Sequence, residues 1–248
     1  MKCIKLLFWI TISIGCNSNK IRNEKEIAEV KANNNKRIEL IKSLPEPFYS
    51  KVPDTMKKWI PILRNVYADD QKNRIVGVNT YTETEKKEQL AIDSQNLKIV
   101  CIYLDKYGWP TLYDVGLLGQ RAINMTIQHA PLKQQEKYYP ELVKAFKKDS
   151  LLFETVALLE DRINVRNHRL QYYGSQMIVY KGKQIPYPIV NVDSINIFRK
   201  QIGFKMTIEN YFTLLKMKCD LKDYKVLLPE LRKELKVSDT TGIHYIRS

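Results

Sequence analysis

Apolar residues recur three and four positions apart over most of the chain, and this spacing predicts a succession of helices. From Asp54 the residues Met56, Trp59, Ile60, Leu63 and Val66 mark one, with Asp54 as its N-cap and a kink rather than a stop at Pro61. It runs toward Asp69-Asp70-Gln71-Lys72-Asn73-Arg74. A second starts at Thr82, where Thr82 and Glu85 have the spacing of a capping box. It continues through Leu90, Leu97, Val100, Cys101 and Leu104 to Gly108, the residue type that ends a helix in the left-handed conformation. Trp109-Pro110 turns the chain. A third helix over 115–130 carries Leu118, Ala122, Ile123 and Ile127, and a fourth segment over 132–148 is expected to be interrupted at Pro140. A fifth, over 150–166, starts at Ser150 and sets Leu152, Val156, Leu159 and Ile163 on one face.

The period then changes. Leu170 to Tyr180 and Gln184 to Val190 flank Lys181-Gly182-Lys183 and predict a β-hairpin. Helical spacing returns over 193–202 and 207–218, and the last thirty residues hold a short amphipathic segment over 229–235 and a frayed end. No repeat of 20–50 residues is present, so a solenoid is not supported. The expected fold class is mainly α, a helical bundle with one small β-hairpin. Its helical domain covers 51–218, with a C-terminal extension over 219–248.

Upstream the pattern is different. Residues 17–50 are rich in Asn, Lys and Glu with sparse apolar positions (Ile27, Val30, Ile38, Ile41), which predicts a polar tether with some helix. Leu44-Pro45-Glu46-Pro47 breaks that helix ahead of the domain. Residues 1–16 read as a targeting segment: Lys2 and Lys5 are the positive flank, and Ile4 to Ile14 is an apolar run too short to span a bilayer. It ends in Ser13-Ile14-Gly15-Cys16, which resembles a bacterial lipoprotein signal, with Ser13 where Leu is usual. That resemblance implies cleavage before Cys16, lipidation of its sulfur and a membrane as partner through the N-terminal anchor. Several acyl chains on one cysteine would hold the protein stably. The expected location is outside the cytoplasm, periplasmic or surface-facing. Cys101, inside Ile99-Val100-Cys101-Ile102, reads as a buried inert thiol, and a disulfide with Cys219 is left open.

Charge changes the picture less than its size suggests. A formal net charge of +14 fits nucleic acid, anionic membrane or an acidic polymer. The lysines are scattered, however, and no finger, basic-zipper or RNA-binding signature is present, so nucleic acid is not the expected partner. No HExxH, paired CxxC, glycine-rich phosphate loop or GxSxG elbow occurs, so no metal or cofactor is implied.

Candidate chemistry collects over 105–176. His129, at the end of an apolar helix, reads either as a hydrogen-bonded structural residue or as a general acid or base oriented by Asp161 or Asp70. Asp161 and Arg162 are adjacent, so their side chains diverge by about 100° on a helix and must serve different neighbours. Asp70 and Arg74 are four apart and can pair along a helix, or Arg74 can hold an anion with the Gln71 amide beside it. On the expected strand, Gln171, Tyr173 and Ser175 share a face, and Gln176 lies on the other.

Asp70-Gln71-x-x-Arg74, Gly108-Trp109-Pro110, Gln128-His129-Ala130, Asp161-Arg162-Ile163, Gln171-x-Tyr173-Gly174-Ser175-Gln176 and Asn191-Val192-Asp193 through Arg199 and Gly203 together resemble an uncharacterised bacterial family, the domain of unknown function 6624. The resemblance covers roughly 55–215, with Ser175 where Thr is expected and His168 where a glycine turn is usual. It implies no activity. Three functions are therefore carried forward. One is a cleft for a polar ligand lined by Asp70, Gln71, Arg74, Gln128, Arg162, Gln171, Tyr173 and Gln176. A second is a hydrolase or transferase using His129 with Asp161 or Asp70, and the third is an interaction module.

Overall fold

The computed structural model describes residues 24–74, 82–148, 152–238 and 242–244. The targeting segment with Cys16, and residues 17–23 of the expected tether, lie outside the described residues. The fold class is mainly α, a helical bundle with one small β-hairpin, as the periodicity predicts. No helix among the described residues is long and apolar enough to cross a membrane.

Helix α1 (Glu24–Ser43) lies in the stretch read as a tether, yet it packs on the domain, with Ile38 and Ile41 buried near Ala68 and Leu118. The expected helix from Asp54 is broken in two, α2 (Asp54–Lys57) and α3 (Trp59–Lys72). Asp54 is inside α2 rather than capping it, since Pro53 is the N-cap. Pro61 causes no kink, because it sits in the first turn of α3, where the missing N–H has no helical partner to lose. Helix α4 (Glu83–Tyr107) begins at the capping box of Thr82 and Glu85 and stops at Gly108, whose φ is 73°.

Helix α5 (Leu112–His129) starts earlier than expected. Thr111 donates both its N–H and its hydroxyl to the Asp114 carboxylate, and the helix is bent at Gly116, where φ is 76° and ψ 175°. The bend exposes the Leu117 N–H, which donates to Glu46 Oε1 at 3.0 Å. Glu46, read as part of a linker, is therefore a buried cap. Helix α6 (Leu132–Phe146) passes through Pro140 without interruption. Pro140 and Glu136 are both exposed, so water can take the place of the lost hydrogen bond.

Helix α7 (Phe153–Arg166) is central. Thr155, Val156, Ala157, Leu159, Glu160, Asp161, Ile163 and Asn164 are all buried, so nearly every face meets protein. Its apolar side chains join those of α3, α4, α5 and α6 in the main core, with Leu63, Val100, Ile123, Ile127, Leu142, Tyr172 and Tyr173. Each fully buried side chain of this size contributes roughly 1.5–3 kcal/mol. Four polar residues on the same helix, Thr155, Glu160, Asp161 and Asn164, must then find partners inside the protein.

The hairpin is smaller than expected. Strands β1 (Met177–Tyr180) and β2 (Lys183–Pro186) pair antiparallel, with Met177 opposite Pro186 and Tyr180 opposite Lys183. Residues 170–176 form a loop joined to the stretch after β2 by the Gln171–Ile189 bridge and by the Tyr187 N–H, which donates to the Gln176 carbonyl at 2.9 Å. Strand alternation over 171–176 is consequently wrong, and Tyr172 and Tyr173 are both fully buried. His168 stands where the family resemblance implies a glycine turn, and it adopts the left-handed conformation itself, with φ 54°.

Helices α8 (Ile195–Ile202), α9 (Ile208–Leu214) and α10 (Leu221–Glu234) build a second core with the hairpin, through Ile185, Ile189, Ile195, Ile208, Phe212, Tyr224 and Leu231. Helix α10 starts well before the amphipathic segment expected at 229–235 and runs through Pro229. Tyr224 locks it down, accepting from the Ile189 N–H and donating to the Tyr187 carbonyl. The end of the chain is not frayed at 242–244, because Asn164 makes two hydrogen bonds to Ile243. Cys101 and Cys219 are free thiols, so the open disulfide is not formed.

Candidate functional site

Asp70 lies four residues after Val66 and seven after Leu63, on the buried stripe of α3. His129 holds the corresponding place on α5, seven residues after Ala122. Because α3 and α5 pack along each other, the two meet: His129 Nδ1 is 2.9 Å from Asp70 Oδ1. The His129 ring makes no other hydrogen bond among the described residues, so Nε2 remains available.

Asp70 is 1% exposed and is the most heavily bonded group of the cluster. Arg74 Nη1 donates to its Oδ1 at 2.7 Å and to its backbone carbonyl at 2.8 Å, and Gln71 Nε2 donates to Oδ2 at 2.7 Å. Burial alone would raise this carboxyl, but the His129, Arg74 and Gln71 contacts outweigh it and hold it below the usual carboxylate range. Arg74 also reaches Asp93 Oδ2 at 2.7 Å, and Arg37 donates to Gln71 Oε1 at 3.1 Å. Gln71 is thus bonded at both ends within the fold, and Arg74 is held between two carboxylates. Neither is the free ligand-holding group expected from the spacing.

Arg162 is different. Its Nη1 donates to the Gln128 carbonyl at 3.0 Å, and Arg166 Nη1 donates to the Ala130 carbonyl at 2.6 Å. Both arginines cap the C-terminal end of α5, where carbonyls lack helical partners and the helix end is negative. Arg162 has no carboxylate partner among the described residues, and its Nε is buried without a hydrogen bond. Burial, then the charges of Arg166 and Arg74, pull its guanidinium down to about 10. The side-chain amide of Gln128 is also buried without a hydrogen bond at either atom. Asp70, Gln71, Arg74, Gln128, His129 and Arg162 thus come together at the joint of α3, α5 and α7.

The other expected site residues do not join them. Asp161, fully buried, accepts from the backbone N–H of Tyr172 at 2.8 Å, Tyr173 at 3.1 Å and Ser175 at 2.9 Å. Burial pushes its carboxyl up to about 6, against these three donors. It is neither the orienting group of His129 nor half of an ion pair; it folds the loop over 172–175. Gln171 has a similar task. Its Nε2 donates to the carbonyls of Gln176 and Tyr187, and its Oε1 accepts from the Gln176 N–H. Gln176 Nε2 donates to the Ser175 hydroxyl. Arg199 Nη1 donates to the Tyr173 carbonyl at 2.8 Å, with its guanidinium over Phe204 and Tyr211. Gly174, at φ 66°, lies where a Cβ would come within 2.8 Å of Ile195 and Ile208. The whole Gln171–Gln176 motif is a frame for its loop, and Tyr173 is sealed inside it.

A second polar centre was not expected from the sequence. Glu160 is 0% exposed, receives a hydrogen bond from the Tyr139 hydroxyl, and has His244 Nδ1 at 3.1 Å from Oε1. The two residues are 84 positions apart, and His244 is in a terminal stretch with no periodicity, so no local signal joins them. Glu160 itself could have been singled out, since it lies four residues after Val156 on a stripe otherwise apolar. A groove of about 570 Å³ between α1 and α3, lined in part by Asn35, Glu39, Lys42 and Asp69, includes none of these residues. Among the described residues no group of three His, Cys, Asp or Glu side chains is placed to hold a metal ion.

A family model described as a family of unknown function (DUF6624) matches residues 68–224, from the third turn of α3 into α10. No curated protein and no solved structure matches the chain.

Proposed function

The chain belongs to the DUF6624 family, a family of unknown function, and we propose that the joint of α3, α5 and α7 binds an anionic polar ligand on an exported, lipid-anchored protein. The carrying observation is Arg162, a largely buried guanidinium with an unbonded Nε, no carboxylate partner among the described residues, and Arg166 and Arg74 close enough to weaken it. A buried charge without a counter-ion is destabilising, and an anion that supplies one is bound with correspondingly strong preference. His129 Nε2 offers a second donor or acceptor beside it, and the idle Gln128 amide a third. The overall charge of +14 draws anions toward the surface.

Thermal unfolding with inorganic phosphate as probe tests the reading, against sodium chloride at matched ionic strength. The unsubstituted chain is expected to gain about 5 °C or more at saturating phosphate, whereas Arg162→Met and His129→Asn gain little. Without phosphate, Arg162→Met is expected to melt no lower than the unsubstituted chain, because it removes an uncompensated charge. No gain in the unsubstituted chain, or an equal gain in Arg162→Met, overturns the reading and leaves the cluster as a structural feature of an interaction module.

A second reading rests on the Asp70–His129 pair. A carboxylate on Nδ1 with Nε2 open is the arrangement that fixes an imidazole tautomer for proton transfer. On this reading the bound anion is a substrate, and His129 is the base of a hydrolase or transferase. Asp70, not Asp161, is then the orienting group.

A further inference from the structure

Helix α7 presents two opposite polar faces. Arg162 and Arg166 point to α5, and Glu160 and Asn164, about 200° around the helix from Arg162, meet the end of the chain. The second contact has three independent parts. Asn164 clamps the main chain of Ile243 on both sides, with Nδ2 donating to its carbonyl at 3.0 Å and Oδ1 accepting its N–H at 3.0 Å. Gly242 passes so close that a Cβ there would lie 2.1 Å from Asn164 Oδ1 and 2.5 Å from Cγ. The His244 ring enters a slot floored by Glu160 and walled by aromatic rings. It stacks on Tyr172 with centroids 3.8 Å apart and planes 4° apart, while Phe198 meets it edge-on at 5.6 Å and Tyr173 lies tilted at 5.9 Å.

An amide that bonds both the N–H and the carbonyl of one residue reads a backbone, not a packing surface. A buried carboxylate under stacked rings selects a planar, proton-donating group. The slot residues Glu160, Asn164, Tyr172, Tyr173 and Phe198 all lie within the family match at 68–224, whereas the occupant at 242–244 lies outside it. The receptor thus belongs to the family domain and the occupant to this chain's own extension. We propose that the slot at Glu160 and Asn164 is a peptide-binding site reading glycine, an apolar residue and histidine, and that Gly242-Ile243-His244 fills it in cis as a displaceable plug. Tethering gives the plug an effective concentration on the order of millimolar, so a free peptide competes only when the plug is weakened or the peptide is abundant.

The test uses full-length protein and a labelled peptide of residues 238–248, followed by fluorescence anisotropy. Gly242→Ala cannot seat its own plug and is expected to bind the peptide about tenfold or more tightly than the unsubstituted chain. The same peptide with alanine in place of His244 is expected to bind Gly242→Ala about tenfold more weakly. Equal affinity of both proteins, or equal binding of both peptides, overturns the proposal. A readout that needs no variant is amide hydrogen exchange at Ile243 in the unsubstituted chain. Millimolar peptide is expected to accelerate it, and an unchanged rate means that the segment is a fixed part of the fold.

Discussion

Asp70 and Asp161 are both withdrawn from water, yet their neighbours differ in kind, and the difference sets how each responds to pH. Asp70 is held low by His129, Arg74 and Gln71, so the stability it contributes is fully present above its ordinary value of 3.8 and is lost as the pH falls below it. Asp161 has only backbone N–H donors and buried surroundings, and its carboxyl is raised to about 6. Its contribution is fully present below 3.8 and is lost as the pH rises to about 6, a change on the order of 3 kcal/mol. Urea unfolding at pH 4 and pH 7 is expected to show this loss in the unsubstituted chain and not in Asp161→Asn; the same slope in both rules out the assignment. At this scale helical spacing puts Asp70 and His129 on apolar stripes facing inward, and the same spacing carried on to Glu160 would mark it too. It does not show which of them meet.

Elements were legible where periodicity was long, and misread where a single residue overrode it. Thr82, Glu85 and Gly108 bound α4 as their local chemistry dictates, since capping depends on neighbours within one turn. Pro61 and Pro140 failed as signals because a proline harms a helix only where a bonded N–H is lost and not replaced. The Gln171–Gln176 stretch alternates like a strand, yet Asp161 captures three of its N–H groups from another helix and folds it as a loop. Gly116 is the clearest element-scale dependence. Its φ and ψ suit glycine alone, and a Cβ would lie 2.4 Å from Glu46 Cδ. Gly116→Ala is expected to cost about 3 kcal/mol or more, and Glu46→Gln about 1 kcal/mol, because the latter keeps an acceptor for Leu117. Chemical denaturation measures both, and a neutral Gly116→Ala would mean that Glu46 does not cap α5.

For the whole molecule, the bundle places its two polar centres on opposite faces of one buried helix. One is the proposed anion site at the α5 terminus, and the other is the slot filled by residues 242–244. Both come from α7, so substitutions that shift this helix are expected to disturb both. The proposed N-terminal anchor belongs to this scale too, because it would set which molecules the domain meets. Mass spectrometry of the mature protein is expected to find a diacylated or triacylated Cys16 as the first residue, and an unmodified start elsewhere removes the anchor.

The sequence by itself determined the fold class, the order of the helices and the caps of α4. These rest on apolar period and on bonds within a few residues, which any reader of the chain can follow. Only the tertiary structure decided that Asp70 rather than Asp161 holds His129, that Gln171 and Tyr173 frame a loop, and that His244 reaches Glu160. Each of these joins residues far apart in the chain, and such pairings are settled by how helices pack, which no local pattern encodes.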